Sequence, residues 1–145
     1  MPTVQDVLAV KGSKVHTTSP NALVLEATQK MNEHKIGSLV VMDGNEVAGI
    51  FTERDVLSRI VVAQRDASST RVADVMTRDV LCCRLEMDLD EVAAVMKTHR
   101  CRHLPVCDES GKLHGMISIG DINAYYTSNQ AMQIEYLSEY IYGRV

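Results

Sequence analysis

The sequence lacks an excess of positive charge and any cysteine pair at metal or redox spacing. Its 15 Lys and Arg residues are outnumbered by 19 Asp and Glu, which gives a formal net charge of -4 without a run of like charges. Such a chain has no basic field for a phosphate backbone, so nucleic acid is not an expected partner. The four cysteines form no C-x-x-C pair and follow no signal peptide, which argues against a disulfide framework and favours buried, reduced thiols.

Long hydrophobic runs and secretion signals are also missing. The N-terminal stretch MPTVQDVLAV has no basic region and no long apolar core, and no segment approaches the length that crosses a bilayer. We therefore expect a cytoplasmic protein with no membrane partner. At 145 residues and 46% hydrophobic composition, the chain is large enough to fold around its own core.

Motifs of the common catalytic sites are absent as well. The chain has no Walker A lysine and no G-x-G-x-x-G loop. Ser118, His103 and Asp121 can be drawn as a catalytic triad, but Ser118 does not lie in a G-x-S-x-G elbow, and a role as a helix cap accounts for it. The sequence therefore predicts a protein that is not an enzyme.

The stretch HRCRH raises the alternative of a zinc site. His99, Cys101 and His103 alternate along it, with Cys107 close behind, so a strand would carry all four on one face. However, His99 aligns with a helix end at His34, and no second ligand pair occurs at metal-site spacing. We expect no metal, and a small metal-binding protein is the least favoured alternative.

The sequence does contain an internal repeat, and such a repeat decides the fold. MNEHKIGSLVVMD (31–43) aligns with MKTHRCRHLPVCD (96–108), and GIFTERD (49–55) aligns with GMISIGD (115–121). The shorter matches VQDVL and VADVM open the two halves, and a polar stretch separates them. The expected domains are a first repeat at 1–63, a linker at 64–71, a second repeat at 72–127 and a C-terminal helical segment at 128–145.

Each half predicts the same α/β (α+β) order of elements, β-α-β-β-α. A short strand (15–17 and 80–82) precedes a helix with apolar residues at helical spacing, which Ser19-Pro20-Asn21 opens in the first half. We expect two repeats related by a pseudo-twofold axis, followed by a C-terminal helix. The other elements are two paired strands and a last helix per half, expected at 38–42, 46–51 and from Thr52, and at 103–107, 112–117 and from Ser118.

The repeated motif, GIFTERD and GMISIGD, has two interpretations. Thr52 and Ser118 stand where a helix N-cap belongs, and Asp55 and Asp121 at the third helical position can complete a capping box. The same geometry suits a ribose followed by a phosphate. The glycine allows a close approach, the helix start offers free N–H donors, and the carboxylate accepts two hydrogen bonds from a vicinal diol.

Through these motifs, and through the strands GSLVV and RHLPV that recur in phase with them, the chain resembles the cystathionine β-synthase-type (CBS) domain pair, or Bateman module. The resemblance covers nearly the whole chain outside its C-terminal segment. It implies a regulatory module that binds an adenosyl ligand, with AMP as the first expectation, ADP, ATP, NAD or S-adenosylmethionine as alternatives, and no catalytic cofactor. It also implies a homodimer. Since no output domain is fused, we expect it to modulate a separate, unknown effector protein.

The resemblance also nominates site residues by position. Asp55 and Asp121 would bind the ribose hydroxyls, with Thr52 and Ser118 beside the ribose or phosphate. Residues at the start of the apolar strands would line the adenine pocket, and two of them, Arg102 and His103, would contact phosphate. The lining residues are Ile36, Gly37 and Ser38 with their counterparts Cys101, Arg102 and His103, and Thr17 near the first short strand completes the set.

The two halves differ where charge matters. Arg54 precedes Asp55, whereas Gly120 precedes Asp121, so one motif has a cation beside its helix start and the other has none. Val40 stands where the second repeat has Pro105. We therefore expect two unequal sites.

A competing hypothesis is a dimerisation scaffold whose nucleotide cleft is vestigial. It rests on the tail QAMQIEYLSEYIYGRV, in which apolar residues follow a helical stripe that suits either the chain's own domain or a second subunit. The stripe comprises Ile134, Tyr136, Leu137, Tyr140 and Ile141.

Overall fold

The computed structural model describes residues 1–128 of the chain, which fold as the predicted mixed α/β arrangement. No helix within this range is long and apolar enough to cross a membrane. The predicted C-terminal helical stripe lies outside the described residues. The first half contains α1 (Val4–Lys11), β1 (Thr17–Thr18), α2 (Val24–His34), β2 (Ser38–Asp43), β3 (Glu46–Thr52), α3 (Glu53–Val56) and a π-helical turn (Leu57–Val61). The second contains a 3-10 turn (Val72–Asp74), α4 (Leu89–His99), β4 (His103–Cys107), β5 (Leu113–Ser118) and a final helix, α5, at 119–128.

The strands form two small sheets. In the first, β2 lies between β1, which runs parallel to it, and β3, which runs antiparallel. The second consists of the antiparallel pair β4 and β5. The first four residues of β2 are all buried, which explains its continuous apolar run, because a strand covered on both faces shows no polar alternation. The two sheets meet at Val40, Ile50 and Met116, which form a third small core.

The predicted first strands are shorter than expected. In the first half, only Thr17 and Thr18 pair with β2. In the second half, the strand predicted at 80–82 is wrong: one isolated bridge, from Cys83 to Val106, takes its place. A local bond from the Val80 N–H to the Arg78 carbonyl turns the chain just before this bridge, so a longer pairing does not form.

Helix α2 also begins later than predicted. The Ser19-Pro20-Asn21 stretch forms a turn, and Leu23 occupies the N-cap position. The N–H groups of Val24 and Leu25 donate to the carbonyls of Thr70 and Ala67. Backbone groups of the predicted linker therefore satisfy the free donors of this helix start, which a local capping residue would otherwise do.

The opening segments of the two repeats are exchanged between the cores. Residues Val4, Val7 and Leu8 of α1 pack in the core of the second half, next to α4 and the β4–β5 pair. The matching apolar residues 72, 75 and 76 pack in the core of the first half. This exchange joins the two halves. Each hydrophobic core therefore contains the opening segment of the other sequence repeat.

The cysteines are free but not uniformly buried. Cys83 and Cys107 lie in the core, Cys101 is half-buried and Cys82 is exposed. The expectation of four buried thiols is therefore wrong for Cys82, because it lies in an irregular segment, next to the single bridged residue Cys83.

Candidate functional site

Two clefts lie at the junction of the repeats. The first, called here the Ser118 cleft, has a volume of about 690 Å³ and combines the start of α5 with the end of α2. The second, the Thr52 cleft, has a volume of about 610 Å³ and combines the start of α3 with the end of α4. Both volumes are in the range of small-molecule sites. Four residues line both clefts and form a shared wall: Gly37, Glu53, Arg102 and His103.

Both helix starts carry the predicted capping box. The Thr52 N–H donates to Asp55 Oδ2 over 2.9 Å, and the Asp55 N–H donates to Thr52 Oγ1 over 3.3 Å. In the other repeat, the Ser118 N–H donates to Asp121 Oδ2 over 2.9 Å, and the Asp121 N–H donates to Ser118 Oγ over 3.0 Å. The Oδ2 atom of each aspartate therefore accepts a hydrogen bond at the start of its own helix.

The second oxygen of Asp55 is also occupied. Asp55 Oδ1 accepts a hydrogen bond from Thr77 Oγ1 over 3.3 Å and lies 3.8 Å from Arg59 Nε. Arg59 is held in place because its Nη1 donates to the carbonyls of Val75 and Met76. With a side chain that is only 8% exposed, Asp55 has both oxygens engaged by the protein.

Asp121 is more accessible. Lys11 Nζ, from the end of α1, lies 2.6 Å from Asp121 Oδ2 and also donates to the Met116 carbonyl over 2.7 Å. Asp121 Oδ1 accepts no hydrogen bond from any of residues 1–128, and the side chain is 24% exposed. Partial burial alone would raise the pKa of Asp121, but the hydrogen bonds from Lys11 and Ser118 outweigh it and hold that pKa below its usual value.

The sequence profile of the CBS domain matches residues 4–62 and 72–128, one match for each repeat. The chain belongs to the CBS domain family. It is 40% identical to a protein with CBS domains from Burkholderia ambifaria MC40-6, with a TM-score of 0.85 over 89% of this chain and 96% of that one. It is 33% identical to the CBS domain-containing protein CBSX3, mitochondrial, from Arabidopsis thaliana, over 97% of this chain and 72% of that protein.

The fold is also that of the CBS domain pair of protein MJ0100, whose crystal structure contains 5′-methylthioadenosine and S-adenosyl-L-methionine. That pair is 24% identical to this chain, with a TM-score of 0.76 over 89% of this chain and 98% of that one. At this identity the likeness concerns the fold. The two matches to the CBS domain, one in each repeat, confirm the predicted tandem CBS pair.

The glycines of the repeated CBS motif have a structural explanation. A Cβ added to Gly49 would lie 2.6 Å from the Thr77 carbonyl oxygen, and one added to Gly115 would lie 2.9 Å from Leu8 Cδ1. Leu8 belongs to the first exchanged opening segment, and Thr77 directly follows the second. The close approach expected of these glycines is therefore made by the protein itself, whereas the sequence interpretation had assigned it to a ligand.

The two clefts of the CBS pair differ in charge at the helix starts. Gly37 and Arg102 occupy equivalent positions: the Gly37 carbonyl accepts from the Glu53 N–H, and the Arg102 carbonyl accepts from the Ile119 N–H. Gly120 and Arg54 are equivalent by the motif alignment, and each lines the cleft of its own helix start. Because Gly37 and Arg102 line both clefts, the difference rests on the second pair: the Ser118 cleft has Gly120 where the Thr52 cleft has Arg54.

Most of the nominated residues lie in one cleft or the other. Ile36 and Ser118 line the Ser118 cleft, while Thr52, Arg54, Asp55 and Cys101 line the Thr52 cleft. Three do not line either cleft. Ser38 is buried opposite Thr52 in the sheet, Thr17 lies on β1 with its carbonyl bonded to Lys30 Nζ, and the Asp121 carboxylate is turned toward Lys11.

Sequence reasoning missed several cleft residues. Lys35 and Arg100 end α2 and α4 with a left-handed backbone, φ 54°, and line the Ser118 and Thr52 clefts respectively. Thr77 follows the second opening segment where Ala9 follows the first, so comparison of the repeats could have found it. Lys11, which lines neither cleft but binds Asp121, had no such signal, because the two residues are 110 positions apart in the sequence.

The electrostatics of the shared wall favour a neutral histidine. Burial lowers the pKa of His103 below its ordinary value, and the neighbouring Arg102 guanidinium lowers it further. The zinc alternative gains no support from this region: no cluster of three or more His, Cys, Asp or Glu side chains suited to a metal occurs within residues 1–128.

Proposed function

We propose that this CBS pair is a regulatory module that binds an adenosyl ligand at the junction of its repeats and modulates a partner protein. The observation that carries the proposal is that each cleft is built from both repeats. A ligand in either cleft contacts the two halves at once, so its free energy of binding depends on their relative arrangement. That dependence is what a ligand-sensing module requires.

The residues of the Ser118 cleft suit an adenosine. Met31, Ile36 and Ile119 provide apolar surface for a base. The N–H groups of Ser118, Ile119 and Asp121 are bonded within the protein, which leaves the Gly120 N–H as the backbone donor that the start of α5 offers to a phosphate. Asp121 Oδ1 is free to accept from a ribose hydroxyl once the side chain turns into the cleft. AMP is the first candidate, and ADP, ATP, NAD and S-adenosylmethionine are the alternatives. A CBS pair of the same fold holds adenosyl compounds, as in protein MJ0100.

The residues of the Thr52 cleft suit phosphate more than ribose. Arg54, Arg100 and Arg102 all line it, and guanidinium groups bind phosphate in a bidentate fashion. Asp55, in contrast, has both oxygens occupied. We therefore assign the stronger ribose contact to Asp121 and the stronger phosphate contacts to the Thr52 cleft.

The proposal is tested by identifying the ligand that the protein itself retains. The purified chain is denatured, and the released small molecules are analysed by mass spectrometry. We expect an adenosyl compound in stoichiometric or near-stoichiometric amount. A chain that releases none, and that also gives no heat with any of the five candidate ligands in calorimetry, would contradict the proposal.

A second candidate function, the dimerisation scaffold, is favoured by an exposed apolar surface after α3. Leu57, Val61 and Val62 are 60%, 62% and 72% exposed on consecutive turns, and a second subunit could cover them. The homodimer and the cytoplasmic location stay predictions. Light scattering on the Leu57→Glu and Val61→Glu variants tests the dimer: we expect a dimer for the wild type and a lower mass for the variants, and a wild-type monomer at micromolar concentration would contradict it.

A further inference from the structure

Cys82 and Cys107 form a close thiol pair outside both clefts. Their Sγ atoms are 3.3 Å apart, although the residues are distant in sequence. The backbone fixes this proximity. The Cys83 N–H donates to the Pro105 carbonyl and the Cys107 N–H donates to the Cys83 carbonyl, both over 2.9 Å, so the segment before α4 is held against β4.

The two thiols differ in accessibility. Cys82 is exposed, whereas Cys107 is only 5% exposed. Burial, together with the hydrogen bond to Cys82, raises the pKa of the Cys107 thiol to about 12. The thiolate is the reactive form of a cysteine, so the exposed Cys82 reacts first with an oxidant in solution, and Cys107 is placed to react second.

The neighbourhood leaves room for a small reagent. Cys82 is exposed, and a cavity of about 450 Å³ adjoins Cys107, lined also by Arg84, Leu85, Glu86, Asp108, Glu109 and Ser110. A disulfide bond is about 2.05 Å long, so the two sulfurs need to approach by only about 1.3 Å, which rotation of the exposed Cys82 side chain can supply. The other two cysteines have no such partner: Cys83 Sγ faces the Pro105 carbonyl, and Cys101 lies at the opposite end of β4.

We propose that Cys82 and Cys107 are an oxidisable pair that forms an intramolecular disulfide by exchange with a small-molecule disulfide. The Cys82 thiolate attacks one sulfur of the oxidant, which forms a mixed disulfide and releases one small thiol. The Cys107 thiolate then attacks the Cys82 sulfur, which forms the Cys82–Cys107 bond and releases the second small thiol. The two protons of the protein thiols end on the two released thiols, so the protein loses two electrons and the oxidant gains them.

The test uses the folded full chain and glutathione disulfide as the oxidant. After incubation, the protein is unfolded in denaturant, its free thiols are alkylated, and the intact protein is analysed by mass spectrometry. We expect the wild type to lose the mass of two hydrogen atoms and to keep two alkylatable thiols. Trypsin should then release peptide 79–84 linked to peptide 103–112. Four alkylatable thiols in the wild type, or a link between two different chains, would overturn the proposal.

Three variants assign the bond, because peptide 79–84 contains Cys83 as well as Cys82. Cys82→Ser, at an exposed position that folding tolerates, should abolish the link, whereas Cys107→Ser should accumulate the mixed disulfide on Cys82. Cys101→Ser is the control and should behave as the wild type. A link that persists in Cys82→Ser, or a Cys107→Ser chain without the mixed disulfide, would each show that the assignment is wrong.

Discussion

The substitution Gly49→Ala tests whether the glycine of the repeated motif serves internal packing. The added Cβ would lie 2.6 Å from the Thr77 carbonyl oxygen and 3.0 Å from Met76 Sδ. The same stretch of backbone exchanges two 2.9 Å hydrogen bonds between Ile50 and Thr77. Overpacking costs about 1–3 kcal/mol, and weakening two backbone bonds adds about 1 kcal/mol each. The better strand propensity of alanine returns about 0.5–1 kcal/mol, which leaves an expected loss of roughly 2–4.5 kcal/mol.

The matched control is Gly115→Ala in the second repeat. Its added Cβ would meet Leu8 Cδ1, the end of a flexible side chain, at 2.9 Å. Leu8 Cδ2 would lie at 3.1 Å as well, so the buried side chain has to shift, which costs less than moving the Thr77 backbone. We therefore expect a smaller net loss of about 1 kcal/mol. Urea denaturation of both variants measures the two free energies of unfolding. Equal losses, or a larger loss for Gly115→Ala, would refute the packing explanation.

The remaining predictions concern the charges of the two helix starts. Arg54→Ala should lower the affinity for AMP about tenfold and the affinity for adenosine much less, and the difference should shrink in high salt. Calorimetry measures both affinities, and equal losses for the two ligands would indicate a packing role for Arg54. Lys11→Met should cost about 1 kcal/mol of unfolding free energy at neutral pH, because the ion pair with Asp121 is lost. The pKa of Asp121 in the folded chain is lowered from 3.8. The ion pair therefore stabilises the fold above pH 3.8, and this stabilisation is lost as the pH falls through the lowered pKa. Denaturation of both chains across that window should therefore show the difference vanish in acid, and a difference that persists would contradict this account of Lys11.

The fold was largely predictable because its signals are local and occur twice. The β2–β3 and β4–β5 pairs lie within one residue of their predicted bounds, since apolar runs separated by Asp- and Gly-containing turns are strong signals of antiparallel pairing. The capping boxes were predicted for the same reason. The start of α2 was predicted too early, because its first N–H groups bond to carbonyls at 67 and 70, which no local rule reveals.

The candidate site was less predictable, because its details depend on contacts between distant segments. The exchange of the opening segments brings Lys11 to Asp121 and Thr77 to Asp55, and these contacts decide which carboxylate oxygen is free. The repeats were recognised as unequal from Arg54 and Gly120. That Arg102 lines both clefts, beside Arg54 in one of them, follows only from the way the two halves pack together.

Calorimetric titration of AMP into the wild type and the Asp121→Asn and Asp55→Asn variants tests the central claim most directly. Asparagine keeps the side-chain shape but removes the charge that strengthens a bond to a ribose hydroxyl, a loss of about 1.5–3 kcal/mol, or roughly ten- to a hundredfold in affinity. We expect that loss of affinity for Asp121→Asn, together with a loss of about 1 kcal/mol of unfolding free energy, because the ion pair with Lys11 is removed as well. Asp55→Asn should instead act mainly on stability, because its oxygens already bind Thr52 and Thr77. AMP affinity that is absent in the wild type, or unchanged in the folded Asp121→Asn variant, would contradict the claim that this CBS pair binds an adenosyl ligand through Asp121.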